Sequence, residues 1–252
     1  RSLCVCVVGV FGCVVRVCFV LDGYGEDRDL PRVDGLQRQV CIRDRTDGIA
    51  KKVLPGVAYL EMVRAAIEDA LPATDAKVVI SLQNTVWAQA IFVKQGSPLQ
   101  ISVALFVGQD DEIEYEVMSG DDNTMACHGQ VVLQEAEFHG ELDLETLKAR
   151  MTLPSIPSVD LYAEFNTIGL CYGETFQGLE TVHCGKAEVF AELRYADLNA
   201  ETLRDDKSEN AYVLHPGILD SALQASIGLF YGRGDDNHQL ALPFALDSIN
   251  IY

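Results

Sequence analysis

Twice in 252 residues a Pro-Gly pair opens an apolar stretch with helical spacing, at Pro55-Gly56 and again at Pro216-Gly217. After the first pair, Leu60, Val63, Ile67 and Ala70 fall on one face, which Tyr59, Met62 and Ala66 broaden. Val57 to Ala70 therefore reads as a mostly buried helix, stopped with the help of Pro72. After the second pair, Ile218 to Phe230 repeats the pattern with Ile218, Leu219, Ala222, Leu223 and Ile227 as its buried side. Between the helices, Lys77 to Leu82, Thr85 to Val93, Leu99 to Val107, Ile113 to Met118 and Gln130 to Phe138 are β-rich. Their connections are too short for crossover helices, so the strands are expected to be antiparallel. The outline of lead-in, Pro-Gly, buried helix and strands occurs twice, which predicts two similar subdomains packed together.

A change of composition separates the two. From residue 139 the chain becomes Glu-rich and then runs Pro154-Ser155-Ile156-Pro157-Ser158, the best candidate for a linker. The expected division is an N-terminal segment 1–41, a first half 42–140, a linker 141–158 and a second half 159–252 that stops short of its natural end. Ser158 is expected to cap a short helix through Ile168, ended by Gly169. Strands follow at Gly178 to His183 and Ala187 to Tyr195, then a polar stretch to Asn210.

The first segment is atypical. Leu3 to Leu21 is almost wholly apolar, interrupted by Arg16. Three readings stay open: one or two buried strands broken near Gly9 or Gly12, a membrane or targeting segment, or a damaged sequence end. A bilayer span would carry Arg16 at a cost of about 3 kcal/mol. Residues 22–48, rich in Asp, Gly and Arg, read as irregular connection, and no later apolar run is long enough to cross a bilayer. Beginning with Arg1 rather than Met, the sequence reads as a piece of a longer one. Five of its eight cysteines lie in the first 41 residues without a regular framework, and no histidine precedes His128. Structural zinc is not expected, and a reducing cytoplasm fits best.

Charge narrows the partners. There are 19 basic and 38 acidic side chains, for a net charge of −19. A phosphate backbone needs a field of Lys and Arg, so nucleic acid is not an expected partner. Nor does acidity favour a broad attraction to an acidic protein. A local basic patch or a tether would have to bring such a partner in.

The chemistry candidates cluster on the second helix. Asp220 and Gln224 are four residues apart and share a face. A carboxylate in apolar surroundings favours its protonated form, as a general acid needs; hydrogen bonding to backbone or solvent is the simpler alternative. Gln224 is as well suited to a structural role as to orienting the acid. His215 stands at the entrance of the helix, five residues from Asp220 and so off its face. His128, His139, His183 and His238 are isolated. Tyr172-Gly173 and Phe176-Gln177-Gly178 form an aromatic and glycine cluster, either a tight turn or a place where Tyr172 reaches a pocket. There is no nucleophile elbow, phosphate loop or zinc signature, which leaves acid and base chemistry without a metal.

Four segments together resemble the dehydratase domains of polyketide and fatty acid synthases. They are Val53 to Met62 (VLPGVAYLEM), Gly169 to Leu179 (GLCYGETFQGL), His215 to Gln224 (HPGILDSALQ) and Leu242-Pro243-Phe244. The resemblance covers roughly residues 42–252 and implies an α+β double hotdog, two antiparallel sheets each wrapped around a long central helix. It implies dehydration of a β-hydroxyacyl thioester, carried on the phosphopantetheine of an acyl carrier protein, to the trans-α,β-enoyl thioester. No dissociable cofactor is implied. The acyl carrier protein and neighbouring synthase domains are the implied partners, with a second copy of the chain as a further option. Asp220 matches the family's acid, and Tyr172, Gly173, Gln224, His215, Pro55 and Gly56 match its surroundings.

One position departs from the pattern. The family motif runs histidine, three residues, glycine, four residues, proline, with the histidine as the base that removes the α-proton. Counting back from Pro55 puts Ala50 at the glycine and Thr46 at the histidine, and a one-residue shift offers Arg45. Neither suits proton abstraction near pH 7, and Asp47 is a weaker acceptor one position away. The expected function is therefore a synthase dehydratase with Asp220 as acid. A catalytically silent scaffold domain and a stand-alone hotdog thioester binder or hydrolase remain as alternatives.

Overall fold

The computed structural model describes residues 2–11, 14–19, 40–43, 50–70, 78–93, 99–108, 112–120, 122–135, 143–194, 212–230 and 244–252, with side chains from residue 52 onward. In chain order the elements are β1 (Ser2–Phe11), β2 (Val14–Phe19), β3 (Val40–Arg43), β4 (Ala50–Val53), α1 (Gly56–Ala70), β5 (Val78–Trp87), β6 (Phe92–Val93) and β7 (Ile101–Val107). There follow β8 (Ile113–Ser119), β9 (Thr124–Glu135), α2 (Leu144–Ala149), β10 (Ile156–Pro157), α3 (Ser158–Thr167), β11 (Leu170–Tyr172), β12 (Leu179–Cys184), β13 (Val189–Arg194), α4 (Pro216–Gln224) and β14 (Ala245–Ile251).

Two five-stranded antiparallel sheets each cover a buried helix, the double hotdog arrangement. The sheet ordered β14-β5-β9-β8-β7 packs on α1, where Val57, Leu60, Val63 and Ile67 meet Leu82, Val117, Val131 and Ile249. The sheet ordered β10-β12-β13-β1-β2 packs on α4, where Ile218, Ala222 and Ala225 meet Val182, Val189 and Leu193. The helical pattern read from Ile218 to Phe230 holds with one change: beyond Gln224 the chain tightens into a 3-10 turn over Ala225–Leu229.

The halves interlock in several places, and β14, from the second half, already pairs with β5 in the first sheet. A four-stranded sheet ordered β11-β3-β4-β6 takes strands from both, with Tyr172 opposite Val40. Leu214 and Leu219, from the second half, are buried in the core of the first.

Several expectations are corrected. Of the three readings of Leu3 to Leu21 the described part follows that of two strands, β1 and β2, which form a hairpin, whereas within 22–48, expected to be irregular, Val40–Arg43 is strand β3. β1 pairs with β13, Ser2 opposite Arg194, and its register with β2 shifts between Val7 and Val10, around Gly9. Asn84 does not separate two strands: Val78–Trp87 is one strand, β5, and the far end of the expected Thr85 to Val93 is the separate β6, Phe92–Val93. Asn84 takes a left-handed conformation (φ 50°) that a short amide side chain tolerates, and the register with β9 shifts there, as at a bulge. β9 begins at Thr124, earlier than expected. The stretch 141–158 is not featureless. Asp143 caps α2 by accepting from Thr146 N at 3.1 Å, and Lys148 and Arg150 pair with Glu192 and Glu188 of the second half. Ser158 is not a cap: Ile156 and Pro157 pair with β12, so the extended Pro157 occupies the cap position without a side-chain bond and Ser158 is already helical. Gly169, at φ 93°, ends the turn after α3. Pro72 lies outside the described residues. Among the described residues no helix is long and apolar enough to cross a membrane.

Candidate active site

The first turn of α4 is fixed from below. Pro216 occupies the first helical position, where its missing N–H costs nothing. Gly217 lies against the 3-10 turn at Glu174–Phe176 so closely that a Cβ would stand 2.3 Å from the Thr175 carbonyl oxygen. Ser221 Oγ donates to Gly217 O at 2.8 Å and accepts from Gly178 N at 3.0 Å. A Cβ on Gly178 would sit 2.7 Å from that hydroxyl, so glycine is needed for close approach there. Gly173, at φ −79°, needs no such freedom and simply precedes the turn.

On this support Asp220 and Gln224 face the same way. Gln224 Nε2 donates to Asp220 Oδ2 at 2.7 Å and to the Phe176 carbonyl at 3.0 Å. Gln224 Oε1 accepts from the Tyr162 hydroxyl at 3.1 Å, and that hydroxyl accepts in turn from Leu179 N at 3.1 Å. The amide can face only one way, because a flip would set its oxygen against both the Phe176 carbonyl and the carboxylate. Burial pushes the Asp220 carboxyl up to about 6, against the stabilising donor of Gln224. The group is thus poised to hold and release a proton near neutral pH.

Tyr172 stands edge-on to Phe165 (centroids 5.1 Å apart, 76°) and to Tyr162 (6.2 Å, 69°). Burial, and then the charge of Asp220, raise its hydroxyl well above the ordinary tyrosine range, so it remains a donor. Tyr162 is pushed up to about 12 for the same leading reason.

His215 has a different role from an acid or base. Its Nδ1 accepts from Ile218 N at 3.4 Å, which makes it the cap of α4, and burial pulls it down to about 4. A cap with so little proton affinity is a poor base. Pro55 and Gly56 shape the start of α1: Ala58 N donates to Pro55 O at 3.0 Å and Trp87 Nε1 to Gly56 O at 2.9 Å. A small apolar cavity of about 20 Å³, room for roughly one water, lies between Val57 and Leu60 of α1, Leu219 and Leu223 of α4, and Leu246 of β14; Asp220 does not line it.

The structure therefore gathers Asp220, Gln224 and Tyr172 at one place. Thr46, with Arg45 and Asp47, lies outside the described residues. Sequence reading missed Tyr162, Ser221 and the Phe176 carbonyl. Ser221 adjoins Asp220, but nothing in the sequence marks Tyr162, which reaches Gln224 only because α3 packs beside α4.

Comparison with known proteins agrees with this geometry. A family profile described as "Polyketide synthase dehydratase domain" matches residues 48–120, and one described as "Polyketide synthase dehydratase N-terminal domain" matches residues 139–252. The chain is 39% identical over 206 residues to polyketide synthase PksN of Bacillus subtilis, and 33% over 211 residues to PksM of the same organism. Each alignment takes in 80% of this chain but only 4% and 5% of those proteins, so the chain spans a small part of their length. Among solved structures it resembles a trans-AT polyketide synthase dehydratase domain from Brevibacillus brevis, with TM-score 0.74 and 35% identity over 86% of this chain and 72% of that one. The dehydratase domain from the CurF module of curacin polyketide synthase shares the fold at TM-score 0.71 and 18% identity, over 86% of this chain and 73% of that one. With both helices, both sheets and the Asp220 surroundings in place, and with a relative of this identity and coverage, the chain belongs to the polyketide synthase dehydratase family.

Proposed function

We propose that this domain dehydrates a β-hydroxyacyl thioester delivered on the phosphopantetheine arm of an acyl carrier protein, with Asp220 as general acid. In this reading a base takes the α-proton, the C–H electrons form the new double bond, and the β C–O bond breaks. The proton of Asp220 leaves with the hydroxyl as water, yielding the trans-α,β-enoyl thioester. Gln224 orients the carboxyl and Tyr172 donates to the substrate. The observation that carries the reading is a carboxyl raised to about 6, locked by Gln224 and Tyr162 on a buried helix. A proton held at that affinity serves a leaving hydroxyl better than an ordinary aspartate would.

Thr46 stands at the position where the family resemblance places the base. A missing general base costs on the order of 10² to 10⁴ in rate. That favours a second reading, in which the domain keeps the acid side of the site but serves as a scaffold between synthase domains. The test is an assay of enoyl thioester formation from a β-hydroxyacyl thioester, comparing the chain with Asp220→Asn. The dehydratase reading expects slow turnover that the substitution abolishes. Absence of product from both would leave the scaffold reading standing.

A further inference from the structure

α1 carries a buried ion pair that lies outside the proposed chemistry at Asp220. Glu61 is 1% exposed and Arg64 3%. Arg64 Nε and Nη2 each donate to a Glu61 oxygen at 2.7 Å, and Arg64 Nη1 lies 2.7 Å from Glu68 Oε2. Within α1 itself this bidentate pair fills only two of the four acceptor directions of the carboxylate. Each Glu61 oxygen also accepts a backbone N–H from 152 or 153 residues away: Val213 N to Oε1 at 3.3 Å and Leu214 N to Oε2 at 2.9 Å. Every favourable acceptor direction of the carboxylate is taken. The two amides belong to the segment that leads directly into His215, Pro216 and α4.

The other polar attachments described for α4, through Ser221 to Gly178 and Gln224 to Phe176, all lie within the second half. Glu61 is a polar attachment that ties the approach to α4 to the first half. Leu214 and Leu219, seated in the first core, add the apolar part of the same contact. From these contacts we infer that Glu61 is a positioning residue: by holding the Val213 and Leu214 amides it sets the depth and register of α4, and so of Asp220, against α1. Arg64 orients that carboxylate through its two donors. The inference rests on the reading of Asp220 as the acid only for its catalytic meaning; the mechanical coupling stands apart from it.

Hydrogen exchange followed by NMR on the whole chain tests this. A Glu61→Gln/Arg64→Met variant removes both buried charges, so a purely local ion-pair role would be lost without consequence. Exchange at Val213 and Leu214 is expected to speed up about 10- to 100-fold, as for loss of hydrogen bonds to a charged acceptor, while β12 and β13 keep their protection. The Asp220 carboxyl is expected to titrate closer to an ordinary aspartate as water gains access. Glu61→Asp keeps the charge in α1 but withdraws it from the two amides, and it should show the same local loss even if the double variant does not fold. Wild-type protection of Val213 and Leu214 in either variant, or an unmoved Asp220 titration, overturns the inference. Failure of the dehydration assay with these exchange results intact would instead count against the catalytic reading alone.

Discussion

Gln224 Nε2 stands 2.7 Å from Asp220 Oδ2 while the same side chain accepts from Tyr162 on its other end, so the acid is oriented through an amide that a third residue holds still. The amide stabilises the charged form of Asp220, and burial opposes it. Gln224→Leu is therefore expected to raise the Asp220 titration midpoint above about 6. A pH titration of the variant beside the parent chain checks it.

Tyr162→Phe removes only a hydroxyl. It leaves Leu179 N and Gln224 Oε1 without that partner and is expected to cost about 1 to 3 kcal/mol in stability, measured by urea unfolding. It should also loosen the Gln224 amide and so reduce any Asp220-dependent turnover.

Asp220→Asn has a pH-dependent effect with a definite sign. The folded-state affinity of Asp220 for its proton is raised above the usual 3.8, so its charged form destabilises the fold as pH rises through the window from about 4 to 6. The asparagine variant is expected to be the more stable protein above pH 6 by roughly 2 kcal/mol, allowing for the partial exposure of the carboxyl, with the difference vanishing below pH 4. His215 works in the opposite direction. Held neutral and pulled down to about 4, it contributes stability that is present above pH 6.5 and lost as pH falls toward 4. His215→Asn, which keeps a capping side chain, should abolish that part of the acid-side loss. Thermal unfolding of the three chains across pH 4 to 8 separates the two effects.

Gly217→Ala and Gly178→Ala should both destabilise the seat of α4, the first more strongly. An alanine Cβ at 217 would meet the fixed Thr175 carbonyl at 2.3 Å, whereas at 178 the nearest atom is the rotatable Ser221 hydroxyl at 2.7 Å. Overpacking of this kind costs about 1 to 3 kcal/mol, readable from denaturant midpoints.

Thr46→His restores an imidazole at the position where the family motif places its base. On the dehydratase reading it should raise enoyl thioester formation by on the order of 10² or more, and the gain should disappear when Asp220→Asn is added. An inert Thr46→His chain would favour the scaffold reading.

The parts of this arrangement that follow from local spacing were readable in the sequence. Asp220 and Gln224 share a face because they are four residues apart, and the apolar rows after Pro55 and Pro216 mark the two buried helices. What was not readable depends on distant packing. Tyr162 finds Gln224 across 62 residues, and the partners of Glu61 lie more than 150 residues away. An isolated glutamate on an apolar helix gives no sign that its acceptors are backbone amides of the other half. Asn84 misled in a similar way: an amide residue between two β-rich runs looks like a turn, but a single left-handed residue lets β5 continue. The pairing of β1 with β13 also follows from topology and not from local pattern.

Everything catalytic here requires that Asp220 hold its proton close to neutral pH. The direct measurement is a carboxyl-carbon NMR titration of the aspartate-labelled chain, with Asp220→Asn supplying the assignment. One resonance with a midpoint near 6, missing from the variant, is expected. If the resonance lost in the variant instead titrates near 4, Asp220 is an ordinary carboxylate and the acid role assigned to it is wrong.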